Sequence, residues 1–324
     1  MWKYLAGTIA IGTVTYGLMR YFAGGVCQCS TRLDGLVIVI TGANSGIGKA
    51  LAYELAKRGA TLILACRNIE KAVDTKLEIQ DLLNNQAEIH VKHLDLNSFD
   101  SIKSFADNID KEFDEIYALV NNAGVFYHPQ ALTKDGFDVT FQTNYLGPYY
   151  LSHQLLRTLK RSDHARIINV VSDAHRLVNV YDLNCLTNNQ GEFRTHFIAY
   201  GVSKLALILF SREFPRRITD TNIIVHAVDP GNVETAIYRY FPQLNNHWLY
   251  IIQWPIRRIV VKRPNQGVQP ILHALLTSNR STGQYIKDCK AVLPSAIACD
   301  DRIARKYYKT TKELIRKHLT ESEC

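Results

Sequence analysis

Tyr200 and Lys204, in Tyr200-Gly201-Val202-Ser203-Lys204, stand four residues apart, a spacing that places both on one face of a helix. A phenol beside an ammonium is a proton-exchange pair. Free tyrosine titrates near ~10, and a neighbouring positive charge favours phenolate and draws that value down. Such a phenol can give a proton to a substrate oxygen, or take one from it, at neutral pH. Ser172 ends the apolar run 166–172, where its hydroxyl can donate to an oxygen on which charge develops. Asn144, within Thr143-Asn144-Tyr145-Leu146-Gly147, lies in the helical pattern that precedes this run. The competing reading makes Tyr200 a half-buried aromatic and Lys204 a surface charge. In a chain with 17 tyrosines the pair alone carries little weight, and Ser172 and Asn144 supply the rest.

Bringing these residues together requires a scaffold, and the hydropathy pattern describes one. Apolar runs at 36–41, 61–66, 89–96, 116–122, 166–172 and 222–230, rich in Val and Ile, read as strands. Between them, 49–58, 69–83, 98–113, 137–160 and 199–218 carry helical periodicity. Pro215 is expected to kink or end the last of these. A further strand is expected at 283–286. Strand–helix alternation with near-continuous apolar strands predicts an α/β fold: a Rossmann-type doubly wound parallel sheet of about seven strands in a single domain.

The first strand runs into Thr41-Gly42-Ala43-Asn44-Ser45-Gly46-Ile47-Gly48, and a helix follows at once. Gly42 permits a tight turn, and Gly46 and Gly48 let backbone and helix approach a pyrophosphate at the helix N-terminus. Ser45 and Ile47 lie inside the same turn. The second strand ends Ala65-Cys66-Arg67-Asn68, with a guanidinium where NAD sites usually carry an acid for the ribose 2′-hydroxyl. Arg67 suits a 2′-phosphate, so NADP(H) is the expected cofactor, NADPH favoured over NADH. The bland alternative is a solvated arginine at a strand end.

From the glycine turn to about residue 290 the chain resembles the short-chain dehydrogenase/reductase family. The resemblance rests on TGANSGIG, His93-Leu94-Asp95-Leu96, Asn121-Asn122-Ala123-Gly124, Asp229-Pro230-Gly231 and the residues Asn144, Ser172, Tyr200 and Lys204. It implies that these four form a catalytic tetrad, with Lys204 also holding the nicotinamide ribose and Asn144 linked to Lys204 through water. It implies that Asp95 bonds the adenine amino group, and that Asn122, Ala123 and Gly124 let the backbone approach the adenine-side ribose. Pro230, Gly231, Val233 and Thr235 would wrap the nicotinamide end, Val233 and Thr235 at the carboxamide. An apolar N-terminus, ACRN and a long insert before Tyr200 narrow the likeness to the membrane-bound retinol dehydrogenase branch, with appreciable similarity to the X-linked dehydrogenase/reductase member. Two departures stand out. Gly147-Pro148-Tyr149 replaces the branch's Gly-His-Phe and is expected to alter the pocket floor, and Asp173 is expected to set a charge close to the pocket.

Residues 4–19 carry no charge and lie between Lys3 and Arg20. A helix of that length rises about 24 Å, short of a ~30 Å hydrocarbon core but compatible with snorkelling flanks and a thin reticulum bilayer. We expect 1–30 to be an anchor and juxtamembrane segment, with a cleaved signal peptide as the rival, and 31–324 to be the catalytic domain with a C-terminal helical tail. The expected location is the endoplasmic reticulum membrane, single-pass, with the catalytic domain facing the cytosol. The net charge of +8 is concentrated at 257–263 and 302–317, with no nucleic-acid-binding motif beside it, so an anionic membrane surface or a phosphorylated cofactor is the expected partner. Seven scattered cysteines make a poor disulfide framework. Cys27 and Cys29 are read as acylated or plain thiols, without a second Cys or His pair for zinc, and the histidines show no ligand spacing; no metal is expected.

Residues 237–261, with Tyr238, Tyr240, Phe241, Trp248, Tyr250 and Trp254, follow the Pro-Gly segment. In the family this region, about 236–262 here, is the substrate lid; an aromatic stripe on the core and membrane contact are the alternatives. The resemblance then implies a lipophilic alcohol and its aldehyde or ketone: a retinoid, polyprenoid or steroid. The rival readings are a carbonyl reductase for small soluble substrates and a catalytically silent dinucleotide-binding scaffold. Pairing into a homodimer through the helices at 137–160 and 199–218 is a family habit that a bulky anchor would oppose.

Overall fold

A computed structural model of the chain describes residues 13, 15–179, 195–219, 221–240, 254 and 257–316. Within them the strands are β1 (Val37–Thr41), β2 (Thr61–Cys66), β3 (Ile89–His93), β4 (Ala118–Asn121), β5 (Arg166–Val170), β6 (Ile224–Asp229), β7 (Gln284–Lys287) and β8 (Lys290–Val292). They form one sheet in the order β3-β2-β1-β4-β5-β6-β7-β8. Every pairing is parallel except β7 with β8. The chain order reverses between β1 and β4, which opens a crevice at the carboxyl ends of those strands.

The strands are apolar on both faces because both are covered. Val39 of β1 points into one cluster with Ile63, Leu119 and Ile167, and Ile38 and Ile40 point into the other with Leu62, Val120 and Ile168. The helices α1 (Gly46–Ala56) and α2 (Ile69–Leu82) contribute to the second cluster, and α3 (Phe99–Glu112) to the first. Two caps fix helix starts: Asn68 accepts from Lys71 N, and Ser98 from Ser101 N.

The stretch 137–160 departs from one continuous helix. Val139–Phe141 leads into a wide π turn at Gln142–Leu146, then α4 (Gly147–Gln154) and a short helix at Leu156–Leu159. The cause is Pro148: it has no N–H to give the Asn144 carbonyl four residues back, so the ladder widens there. The helix α5 (His196–Glu213) starts at the Thr195 cap and ends two residues before Pro215, as expected of a proline. It is followed by α6 (Gln269–Leu276) and α7 (Asp301–Leu314), the expected helical tail. Thr311 of α7 meets Tyr145 O–H to Oγ at 2.7 Å, pinning α7 over the π turn.

The count of about seven strands is corrected to eight. β8 pairs with β7 through the two-residue turn Asp288-Cys289, whose φ values are +48° and +60°. Both lie in the left-handed region that tight hairpins require; Asp288 suits it, but Cys289 stands where a Gly usually signals the turn. The anchor helix is not supported: among the described residues no helix is long and apolar enough to cross a membrane, and residues 1–12 and 14 of the expected anchor lie outside them.

Candidate active site

The glycine turn forms as read. Ser45 is extended and its side chain makes no cap bond, so α1 begins with no hydroxyl oxygen on its first N–H groups. Gly46 has φ +54°, and a Cβ there would lie 2.9 Å from Thr235 Cγ2. A Cβ at Gly48 would lie 2.5 Å from the Gly42 carbonyl oxygen and 2.6 Å from Asn122 Nδ2. Ile47 packs against the α1 side of the core. The Thr41 hydroxyl accepts from Asn122 N at 3.0 Å and Ala123 N at 2.9 Å, tying the ends of β1 and β4 together. Turn, crevice and free helix N-terminus fit a dinucleotide pyrophosphate.

Around that cradle, Arg67 is exposed just past β2, and no described residue pairs with its guanidinium. Asp95 uses Oδ1 to accept from Asn97 N at 3.0 Å. Pro230 is buried beyond β6 and Gly231 turns at φ +81°. Val233 aims its side chain at Gly267, whose added Cβ would sit 2.6 Å away, so its backbone rather than its side chain faces the cleft.

The tetrad residues, distant in sequence, converge. Ser172 follows β5; its hydroxyl accepts from Ala174 N at 3.2 Å and stands near enough to the Tyr200 phenol to oppose the effect of burial on it. Lys204 Nζ, one turn along α5, lies 5.6 Å from the centre of the Tyr200 ring and donates to the Val170 carbonyl at 2.8 Å. Asn144 is buried in the π turn; its amide accepts from Val125 N at 2.8 Å and donates to Val125 O at 2.9 Å and Ser203 Oγ at 3.1 Å. A Cβ on Gly124 would lie 3.2 Å from Asn144 Oδ1 and 3.6 Å from Lys204 Nζ, so this glycine keeps the floor of the site open.

Electrostatically, burial pulls Lys204 down to about 8, with the Asp229 carboxylate opposing it. Burial also pushes the Tyr200 phenol above its ordinary range, reinforced by Tyr238 and opposed by the Ser172 hydroxyl. Among the chain's own groups, desolvation dominates at the phenol.

Several contributors were not singled out from sequence. Phe126 stacks edge-on to Tyr200 at 5.0 Å and touches Phe197 at 5.3 Å and Tyr238 at 5.8 Å. Tyr127 beside it has φ +54°, a strained conformation for a bulky residue, and meets His196 at 4.5 Å. These rings form an apolar wall over the phenol. The signal was present: Phe197 lies one turn before Tyr200, and Phe126 and Tyr127 directly follow Gly124-Val125. Of the expected lid, Tyr238 and Tyr240 join this wall region, Tyr240 against His128 at 5.0 Å. Phe241, Trp248 and Tyr250 lie outside the described residues, and Trp254 is exposed.

His175 was also missed as a support. Ser295 N donates to its Nε2 at 3.0 Å, so Nδ1 carries the proton and donates to the Ser172 carbonyl at 2.8 Å. Both expected departures are corrected. Asp173 is held by Lys287, by Arg176 at 3.2 Å and by Tyr285 O–H at 3.1 Å, so its charge is neutralised in a buttress behind Ser172. The same Tyr285 hydroxyl lies 3.0 Å from the buried Asp229, so the two carboxylates share its one proton. Tyr149 is fully buried against His153, Phe210 and Tyr308. Phe210 is ten residues along α5 from Tyr200, about 15 Å of helix, so Tyr149 is not the pocket floor. Finally, Cys27 and Cys29 do have a ligand-type neighbour: their sulfurs and a His273 ring nitrogen all lie within 4.8 Å of one another.

The short chain dehydrogenase family model matches residues 36–244. The chain belongs to that family. Within it, this dehydrogenase is 38% identical to human retinol dehydrogenase 11 over 301 residues, covering 92% of this chain and 91% of that protein. It is also 38% identical to mouse retinol dehydrogenase 12, covering 92% of each. Likeness of this extent puts it in the retinol dehydrogenase-like branch. Among solved structures, an uncharacterised protein from Mycobacterium paratuberculosis matches with TM-score 0.71 and 27% identity, covering 90% of this chain and 98% of that one.

Proposed function

We propose that this oxidoreductase interconverts a lipophilic alcohol and its aldehyde or ketone with NADP(H), Tyr200 acting as the acid/base. The observation that carries the reading is the convergence of Tyr200, Ser172, Lys204 and Asn144 beneath an aromatic wall. When bound, the nicotinamide supplies or accepts the hydride. Tyr200 moves the proton to or from the substrate oxygen, and Ser172 donates a hydrogen bond to that oxygen as charge builds on it. Lys204, largely charged below its value of about 8, steadies the phenolate after proton transfer. Asn144 holds the strand end at Val125 and the α5 turn at Ser203 in register.

The exposed, unpaired Arg67 supports NADP(H), since its guanidinium can pair a 2′-phosphate and no acid stands there to bond a 2′-hydroxyl. Phe126, Phe197 and Tyr238 support an apolar substrate, as do the retinol dehydrogenase relatives by name. The uncharged residues 4–19 fit the same chemistry, bringing the site to a reticulum membrane where such substrates reside. The test compares NADPH oxidation by the purified full chain with retinal and with a short water-soluble ketone. Faster turnover of retinal, by at least tenfold in kcat/KM, is expected; a preference for the soluble ketone overturns the substrate class.

A further inference from the structure

Away from the crevice, three remote segments bring soft ligands together. Cys27 and Cys29 come from the segment that precedes β1, and His273 comes from α6; their ligand atoms all lie within 4.8 Å of one another, each partly buried. Cys289 lies outside that group, in the β7–β8 turn against which Gly25 packs. We propose that Cys27, Cys29 and His273, with Cys289 swung in from the adjoining turn, form a tetrahedral site for a thiophilic divalent cation, zinc foremost, that clamps the N-terminal segment to the catalytic domain.

The ligand chemistry suits such an ion. A Cys3His set is a common closed zinc site, and ~2.3 Å zinc–sulfur bonds put tetrahedral ligand atoms about 3.8 Å apart. Cys27, Cys29 and His273 have only to close by about an ångström, within the reach of side-chain rotation, and Cys289 must rotate in from its turn. Three thiolates and a neutral imidazole around a divalent ion leave one negative charge. Arg58 lies beside Cys27 to offset it, while Lys262 is already engaged by Asp288 at 2.6 Å.

The backbone is also built around this point. Cys289 has φ +60°, a conformation that favours glycine or asparagine, so a thiol is kept where the turn does not want a side chain. Cys27 N donates to Gln269 Oε1 at 3.0 Å, which docks its segment on α6 one turn from His273. Gly25 passes so close to Asp288 that a Cβ would collide with its carbonyl oxygen, pressing the segment against the turn that carries Cys289. A metal here links residue 27 to residue 289 and sets where the N-terminal segment leaves the domain. It stands apart from the tetrad and takes no part in turnover.

The test uses the full chain purified in detergent under reducing conditions, stripped with chelator and titrated with Zn2+ and, separately, Co2+. A single equivalent of Zn2+ per chain, a cobalt spectrum with thiolate charge-transfer bands and a raised unfolding temperature are expected. Cys289→Ser should weaken Zn2+ at least tenfold, and Cys27→Ser with Cys29→Ser should abolish it, while Cys299→Ser leaves it unchanged. Dinucleotide binding, equal in all variants, reports that each is folded. Absence of the cobalt–thiolate bands in the wild-type chain overturns the proposal. So does Zn2+ binding that survives the cysteine substitutions, or mass spectrometry of the freshly isolated chain showing Cys27 and Cys29 acylated or joined as a disulfide.

Discussion

Lys204 is held at a cost to the fold, and replacing it with Met should make the protein more stable as it kills turnover. The ammonium is 3% exposed, and its value falls from 10.5 to about 8 because burial disfavours charge. At ~1.4 kcal/mol per pH unit that gap makes the charged, folded lysine roughly 3 kcal/mol less favourable than in the unfolded chain. Methionine fills similar volume and loses one hydrogen bond, to the Val170 carbonyl, worth about 1 kcal/mol. The net expectation at pH 7 is a gain of about 2 kcal/mol. The sign of the pH dependence follows from the depressed value. The penalty of Lys204 is absent above 10.5 and grows as pH falls from 10.5 to 8, where the unfolded chain binds a proton that the folded lysine does not yet hold. The advantage of Lys204→Met should therefore shrink between pH 8 and 10. Urea unfolding of both proteins at pH 7 and pH 9.5 reads this directly. A variant less stable than wild type at pH 7, or a difference that does not change with pH, refutes the claim that the site buries its charge against solvation.

Other consequences follow from single contacts. Gly48→Ala places a Cβ against the Gly42 carbonyl and should cost about 1–3 kcal/mol in unfolding free energy while weakening dinucleotide binding at least tenfold. Arg67→Ala should raise the KM for NADPH about 10–100-fold and leave that for NADH unchanged, as expected for loss of a charge-assisted pair. His175→Ala strips partners from the Ser172 carbonyl and the Ser295 N–H, and should destabilise the fold by about 1–3 kcal/mol in urea titrations and lower kcat more than it raises KM. Asp173→Asn, in a half-exposed ion cluster, should cost less than about 1 kcal/mol and leave kcat within a few-fold.

Much of the architecture was legible because local and global signals agreed. Strands such as β2 are apolar at every position, which only a sheet covered on both sides permits, and Pro215 marks the end of α5. The glycine turn carries its own backbone requirement at Gly46. What stayed hidden depends on three-dimensional company. The π turn at Asn144 arises from a proline four residues later acting on a helix whose periodicity is otherwise intact. The charge of Asp173 is silenced by Lys287, more than a hundred residues away, and Tyr149 packs on a helix and tail that the local motif does not mention. The aromatic wall joins three segments, and the cysteine–histidine cluster joins residues 27 and 29 to residue 273, separations that no motif spacing encodes.

The role of Tyr200 is tested most directly by Tyr200→Phe, assayed at saturating NADPH and retinal beside a titration of dinucleotide binding. Phenylalanine keeps the ring against Phe126 and removes the proton, so kcat should fall by about 10²–10⁴ with dinucleotide affinity intact. Turnover within tenfold of the wild type would contradict a phenolic proton donor at this site.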